Sequence, residues 1–158
     1  MIAWCGRYPI VSIEDPMADS DWEGWYTVAA TLSHRIQLIG DDLFTTNLQR
    51  IRTGIQRKVA NAVLIKLNQI GTVTETLAAI ELTQQAAWNP VVSARSGETE
   101  DGFISHLAVA TNAGQLKVGS FVRGERMAKW NEVLRIERNL GSNARFIGRS
   151  ILDRVARV

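Results

Sequence analysis

The sequence predicts an α/β fold, an incomplete (β/α) barrel of about five βα units. Short apolar runs alternate with longer segments whose apolar residues recur at helical spacing, which is typical of a parallel sheet in a barrel or a doubly wound fold. Each apolar run ends at a polar residue, at positions 14, 41, 66, 95 and 117, and these intervals suit single βα units. No Gly-x-Gly-x-x-Gly motif follows the first run, which argues against a dinucleotide-binding sheet. Five units are too few for a complete eight-unit barrel, which takes about 250 residues.

The composition limits the classes of protein to which the chain can belong. It has 158 residues, of which 46% are hydrophobic and 22% charged, which is typical of one globular domain. The net charge is only +2 and no Lys/Arg run accompanies it, so we expect no nucleic-acid partner. The single cysteine, Cys5, excludes an internal disulfide. No segment has the length of a membrane helix or the form of a signal peptide, so a cytoplasmic location is expected.

The first predicted unit is a β-branched strand over 8–13 followed by a helix over 22–34. The strand ends before Pro16, which cannot donate to a sheet ladder, and Asp21 is placed to cap the helix. The second unit has the same form. Its strand is predicted over 36–40, and its helix begins after Thr46 or Asn47 and ends near residue 58.

The third unit contains the most apolar predicted strand, in which four small or apolar residues, 62–65, run straight into Lys66. A short continuous run of this kind is typical of a strand that is buried on both faces. Lys66 should therefore project from the carboxyl-terminal tip of a buried strand, where barrel enzymes carry their chemistry. A helix is predicted over 74–88, with Asn89-Pro90 ending it.

The last two units are shorter and more polar. Their strands are predicted over 91–94 and 115–119, and their helices over 102–112 and 125–140. Gly141 is placed to stop the final helix. The tail to Val158 carries four arginines and is expected to pack simply against the domain.

The polar strand ends form a coherent set if the strands are parallel. Glu14 and Asp41 are carboxylates on neighbouring strands, which suits a hard divalent cation such as Mg²⁺. Lys117 and such a metal would place positive charge near Lys66, which favours the neutral amine that a general base needs.

Arg95 and Ser96 complete the set, because a guanidinium fork beside a hydroxyl suits a phosphate group. A metal, a base and a phosphate grip together describe proton abstraction next to a carboxylate, in which the metal stabilises the developing ene-diolate.

Five segments of the sequence resemble the C-terminal part of the enolase (phosphopyruvate hydratase) barrel. The resemblance covers residues 8–149, and it implies a divergent segment over 1–7, a partial barrel domain over 8–149 and a tail over 150–158. The similar segments are Tyr8-Pro9-Ile10-Val11-Ser12-Ile13-Glu14-Asp15-Pro16, Gly40-Asp41-Asp42-Leu43, Ile65-Lys66-Leu67-Asn68-Gln69-Ile70-Gly71-Thr72, Ser96-Gly97-Glu98-Thr99-Glu100-Asp101 and Leu107-Ala108-Val109-Ala110-Thr111-Asn112-Ala113-Gly114-Gln115.

The resemblance implies roles for the strand-end residues. Glu14 and Asp41 match two ligands of Mg²⁺. Lys66 matches the base that takes the proton from carbon 2 of 2-phosphoglycerate on the way to phosphoenolpyruvate. The residues that match the substrate-binding positions are Arg95 and Ser96 for the phosphate and Lys117 for the carboxylate.

Two departures from the enolase pattern leave two hypotheses open. Ala94 stands where enolases carry a histidine. The resembling part also lacks the N-terminal domain, the first three barrel strands, the third metal ligand and the glutamates that assist loss of the hydroxyl. The chain is therefore either part of a working enolase of glycolysis, with an N-terminal half-chain as its partner, or a non-catalytic remnant that acts as a binding or structural module. Under both hypotheses, the isolated chain is expected to have a weak Mg²⁺ site, to be inactive and to self-associate.

Overall fold

The computed structural model describes the backbone of residues 1–157 and the side chains of residues 1–153. The described strands form one parallel five-stranded sheet, in which spatial order follows chain order. This arrangement is that of consecutive barrel units and not of a doubly wound sheet, whose strand order reverses. It confirms the predicted half-barrel. The strands are β1 Ser12–Glu14, β2 Gln37–Gly40, β3 Ala62–Ile65, β4 Asn89–Ser93 and β5 Leu116–Lys117.

The helices follow the strands, as the sequence predicts, with two additions. Two predicted capping positions hold, since Asp21 and Asn47 each accept a hydrogen bond from a backbone N–H of the first turn. Thr72, which was not predicted as a cap, does the same for α5. The additions, α1 and α4, are short and have no capping side chain. The helices are α1 Ile2–Arg7, α2 Trp22–Leu32, α3 Leu48–Arg57, α4 Leu67–Ile70, α5 Val73–Gln85, α6 Phe103–Ala110 and α7 Gly124–Leu140, followed by 3₁₀ helices over Gly141–Asn143 and Gly148–Arg157.

The boundary between α5 and β4 differs from the prediction, because Pro90 lies inside β4 and does not merely precede it. The N–H groups of Val92 and Ala94 donate to Gln115 and Lys117 on the β5 side. Pro90 faces the same side two residues earlier, where β5 has not begun and no donor is needed. The strand therefore starts at Asn89, and the helix ends four residues before it.

The two faces of the sheet pack against different partners. Val63, Ile65 and Val92 belong to the main core, which the helices cover. Alternate residues face inward and form a second apolar cluster, made of Ile39, Ala62, Leu64 and Val91. All four residues of β3 are buried, which confirms the predicted strand with two buried faces.

The inner face also carries a layer of amides at the amino ends of the strands. Gln37 and Gln115 exchange two side-chain hydrogen bonds, of 2.9 and 2.8 Å, across the interior. Asn89 Nδ2 donates to Gln37 Oε1 and, at 3.1 Å, to the carbonyl oxygen of Ile151. The buried Ile151 thus seats the C-terminal segment beneath this layer, next to Gly114, which leaves room for its side chain. The division of the chain at residues 7 and 149 stays a prediction.

None of the described helices has the length and apolar character that crossing a membrane requires.

Candidate active site

The predicted site residues lie at the carboxyl edge of the sheet. Glu14 and Lys117 are the last residues of β1 and β5, whereas Asp41 and Lys66 directly follow β2 and β3. Parallel strands bring all of these ends to one edge. A cavity of about 400 Å³ opens there, and the polar side chains that line it include Lys66, Ser93, Arg95, Ser96, Lys117 and Arg126.

Two ion pairs organise the acidic and basic strand ends. Lys66 Nζ donates to both oxygens of Asp41, at 2.7 and 2.6 Å, and only 12% and 10% of these two side chains are exposed. Lys117 Nζ donates to both oxygens of Glu14, at 2.6 and 2.7 Å, in a more open position. Each predicted base or binding lysine is thus engaged by a predicted metal ligand, a pairing that the sequence did not indicate.

Lys66 is also fixed through its backbone. Its N–H donates to the hydroxyl oxygen of Thr46, at 2.9 Å, and that hydroxyl donates to Gln69 Oε1 at the same distance. Thr46 is fully buried. It therefore ties the end of β3 to α4 and sets the direction in which Lys66 leaves the sheet.

Asp15 is a site residue that the sequence analysis did not single out. Its two carboxylate oxygens accept the backbone N–H groups of Asp41 and Asp42, at 2.9 and 3.0 Å. Burial raises the pKa of the Asp15 carboxyl, and the neighbouring carboxylates act in the same direction, whereas the two backbone hydrogen bonds lower it. Asp15 thus fixes the end of β2 through two hydrogen bonds. In the sequence, its position between Glu14 and Pro16 is the feature that could have indicated this role.

Carboxylate oxygens suit a hard cation, so the donor type at this edge fits Mg²⁺. Oxygens of Asp15, Asp41 and Asp42 lie within 4.8 Å of one another, and Glu14 is not part of this group. The arrangement differs from the predicted Glu14–Asp41 pair. The oxygens of Asp15 accept hydrogen bonds from two backbone N–H groups, and those of Asp41 accept hydrogen bonds from Lys66 Nζ. A cation would therefore have to compete with these donors.

A buried lysine holds the loop that carries Arg95 and Ser96. Lys129 on α7 is fully buried; its Nζ donates to the carbonyl oxygen of Thr99, at 2.7 Å, and lies 3.3 Å from Glu98 Oε2. The other oxygen of Glu98 accepts the N–H of Arg95, at 2.8 Å. Lys129 therefore positions this loop through Glu98. Its spacing of seven residues from Ile136, which is also buried, is the signal that could have revealed it.

Ala94 lines the cavity and offers it a methyl group only. Neither histidine of the chain takes the place of the histidine that the resemblance implies at position 94. His34 follows α2, and His106 Nε2 lies 2.9 Å from Glu132 Oε1, between α6 and α7. The described cavity therefore contains lysine, arginine and hydroxyl groups but no imidazole.

The chain is similar both to a known family and to individual relatives. The sequence profile of the C-terminal TIM barrel domain of enolase matches residues 2–155. The chain is also 64% identical, over 148 residues, to a protein named Enolase 1 of Desulfitobacterium hafniense (strain Y51). That alignment covers 94% of this chain and 34% of the relative, so the chain spans about a third of that relative's length.

Replacing Lys129 by methionine should destabilise the fold and loosen the Arg95 loop. The change leaves Glu98 and the Thr99 carbonyl without a cationic partner, and breaking a buried ion pair costs roughly 3–5 kcal/mol. Urea denaturation measures the loss, and amide hydrogen exchange should become faster across 95–101. The matched control is Arg138→Met on the exposed face of α7, which should stay within about 0.5 kcal/mol. Equal stability of the two variants would contradict the role given to Lys129.

Proposed function

Because the chain belongs to the enolase family, whose C-terminal barrel domain it matches over residues 2–155, we propose that it supplies the base side and the phosphate side of the enolase reaction. That reaction is the dehydration of 2-phosphoglycerate to phosphoenolpyruvate, a step of glycolysis that takes place in the cytoplasm. The proposal is based on the observation that one cavity is lined by Lys66, Arg95, Ser96 and Lys117 together.

Each of these residues has a role that its chemistry supports. Lys66 takes the proton from carbon 2 of the substrate, for which its Nζ must first separate from Asp41. The Arg95 guanidinium and the Ser96 hydroxyl bind the phosphate. Lys117 exchanges Glu14 for the substrate carboxylate, which is the easier exchange because this pair is the more exposed of the two.

We propose Mg²⁺ as the cofactor, held weakly by Glu14 and Asp41. Bound Mg²⁺ would supply positive charge beside the substrate carboxylate, which makes the proton on carbon 2 more acidic. The lysine that each carboxylate already holds makes the site weak. If Glu14 and Asp41 turn to a cation, both lysines are freed for the substrate.

The acid side of the reaction is the part that this cavity lacks. Loss of the hydroxyl from carbon 3 needs a general acid, and such a group is typically worth about 10²–10⁴-fold in rate. Ala94 cannot donate a proton, and neither histidine lines the described cavity. We therefore propose that the chain alone is inactive and that a partner carrying the N-terminal part of an enolase completes the site.

A non-catalytic role remains the second candidate, and Ala94 is the observation that favours it. A remnant of this kind would retain the ion pairs as structural contacts and would bind the substrate or product without converting it. Reconstitution with the N-terminal part of an enolase separates the two candidates, because it gives turnover that Lys66→Ala abolishes in the first case and no turnover in the second.

The Mg²⁺ affinity of this chain should be much poorer than that of a whole enolase measured beside it. Asp41→Asn should reduce it further, since the change removes one anionic ligand. Isothermal titration calorimetry gives both affinities, and Asp19→Asn, at an exposed position outside the site, is the control with the same loss of charge. Tight binding that Asp41→Asn leaves unchanged would rule out the proposed ligands.

The catalytic proposal predicts activity only after reconstitution. The purified chain should not form phosphoenolpyruvate, measured by absorbance with Mg²⁺, whereas addition of the N-terminal part of the Desulfitobacterium relative should give weak turnover. Lys66→Ala should abolish that turnover, Ala94→His should raise it, and Lys58→Gln, at an exposed lysine, should leave it unchanged. Rapid turnover by the chain alone, or reconstituted activity that survives Lys66→Ala, would contradict the proposal.

The isolated chain should self-associate, because β1 and β5 each present an outer edge without a strand neighbour among the described residues. Light scattering over a range of concentrations reports the mass. Adding the N-terminal part of the relative should reduce the association by covering the edges. A monodisperse monomer that melts cooperatively would show that the open edges are harmless.

A further inference from the structure

Arg126 is the cavity residue to which neither the sequence analysis nor the proposed function gives a role. It lies in the first turn of α7, on the side of the cavity formed by that helix, and is partly buried there. A cationic side chain in the first turn of a helix is opposed by the helix macrodipole, so helix stability does not explain its presence. The cavity that Arg126 lines offers an explanation for its position.

The charges of the cavity are unevenly compensated. Lys66 and Lys117 are each paired with a carboxylate. Arg95 and Arg126 line the same cavity, and within the described residues no carboxylate oxygen lies within 4.0 Å of either guanidinium. Two uncompensated guanidinium groups that face one space favour an anion there.

The absence of a side chain at Gly119 leaves the space that Arg126 occupies. A Cβ at residue 119 would lie 3.2 Å from Arg126 Nε and 3.3 Å from Cζ, so the arginine packs directly on the glycine backbone. The φ of Gly119 is +104°, a conformation that side-chain-bearing residues rarely adopt. The direction of Arg126 is therefore built into the segment that follows β5.

We propose that Arg126 is a second guanidinium arm of the anion site and that it binds a tetrahedral phosphate group together with Arg95. Guanidinium groups bind phosphate oxygens through paired hydrogen bonds, and two arms from different elements can hold the group from two sides. The inference rests on the proposed function, because Arg95 and Ser96 are taken there as the phosphate side. It adds α7 to the elements that bind the substrate.

The test is the binding of inorganic phosphate to the whole chain, measured by ³¹P NMR titration without any turnover. Arg126→Gln should weaken binding about tenfold or more, since a hydrogen bond to a charged group is worth that much. Arg126→Lys, which keeps the charge but loses the fork, should fall between this variant and the unaltered chain. Arg123→Gln is the matched control, because that arginine is exposed in front of the same helix and lies 3.9 Å from Glu125.

Two further variants separate this inference from the proposed function and from misfolding. If Arg95→Gln weakens phosphate binding and Arg126→Gln does not, the inference is wrong while the phosphate side of the proposed function stands. If only Arg126→Gln weakens it, Arg126 binds the anion without Arg95, and both the shared site and the role given to Arg95 are wrong. Gly119→Ala should weaken binding with Arg126 intact, and circular dichroism melting must show each variant folded. No measurable phosphate binding by the unaltered chain would overturn the inference.

Discussion

The inner face of the curled sheet can be filled only by side chains, and this constraint determines the rest of the structure. Alternate residues of every strand must point there, so three layers follow from the pleat. Amides occupy the amino ends, aliphatic groups the middle and charges the carboxyl ends. The outer face packs against the helices. In the amide layer, Asn89 Oδ1 is buried without a hydrogen-bond partner in the described structure.

The charged layer has two halves that differ in how firmly they are held. The Lys66–Asp41 pair is nearly buried, so separating it leaves a charge in a medium of low polarity. The Lys117–Glu14 pair is half exposed, and pairs of that kind contribute only about 0–1 kcal/mol. A ligand carboxylate can therefore replace Glu14 at little cost, whereas Lys66 is released only when something else satisfies Asp41. The substrate binding and the proton transfer proposed above therefore act on two ion pairs of different stability.

The positions of the strand ends could be predicted from the sequence, but the partners of the side chains could not. Apolar runs that stop at polar residues identify Glu14, Asp41, Lys66 and Lys117, and parallel geometry brings them to one edge. Which carboxylate each lysine selects depends on the curl of the sheet, and no residue spacing encodes it. The amides were missed for a related reason, since Gln37 is polar and would be expected at the surface unless Gln115, 78 residues later, lies opposite it.

The remaining omissions have local causes. From the sequence, Lys129 is expected to be a solvated helix residue, because the loop that buries it comes from another part of the chain. The direction of Arg126 depends on the backbone of Gly119, which the sequence does not specify. Pro90 was expected to end the preceding helix because Asn-Pro pairs mark turns, but it lies inside β4, where its missing N–H would have faced β5. Because β5 is short, it offers no acceptor opposite Pro90, and the missing donor costs nothing.

The bridges across the interior also determine the order in which this fold can form. Lys117 and Glu14 are 103 residues apart in the chain, and Gln37 and Gln115 are 78 apart. Contacts of such separation carry a loop-closure cost that nearby contacts do not. The sheet can pair strand by strand through local βα units, but the side-chain bridges across its inner face form only when the first and last strands are both in place. Slow folding is typical of such non-local topologies, and until these bridges form the amide side chains stay hydrated.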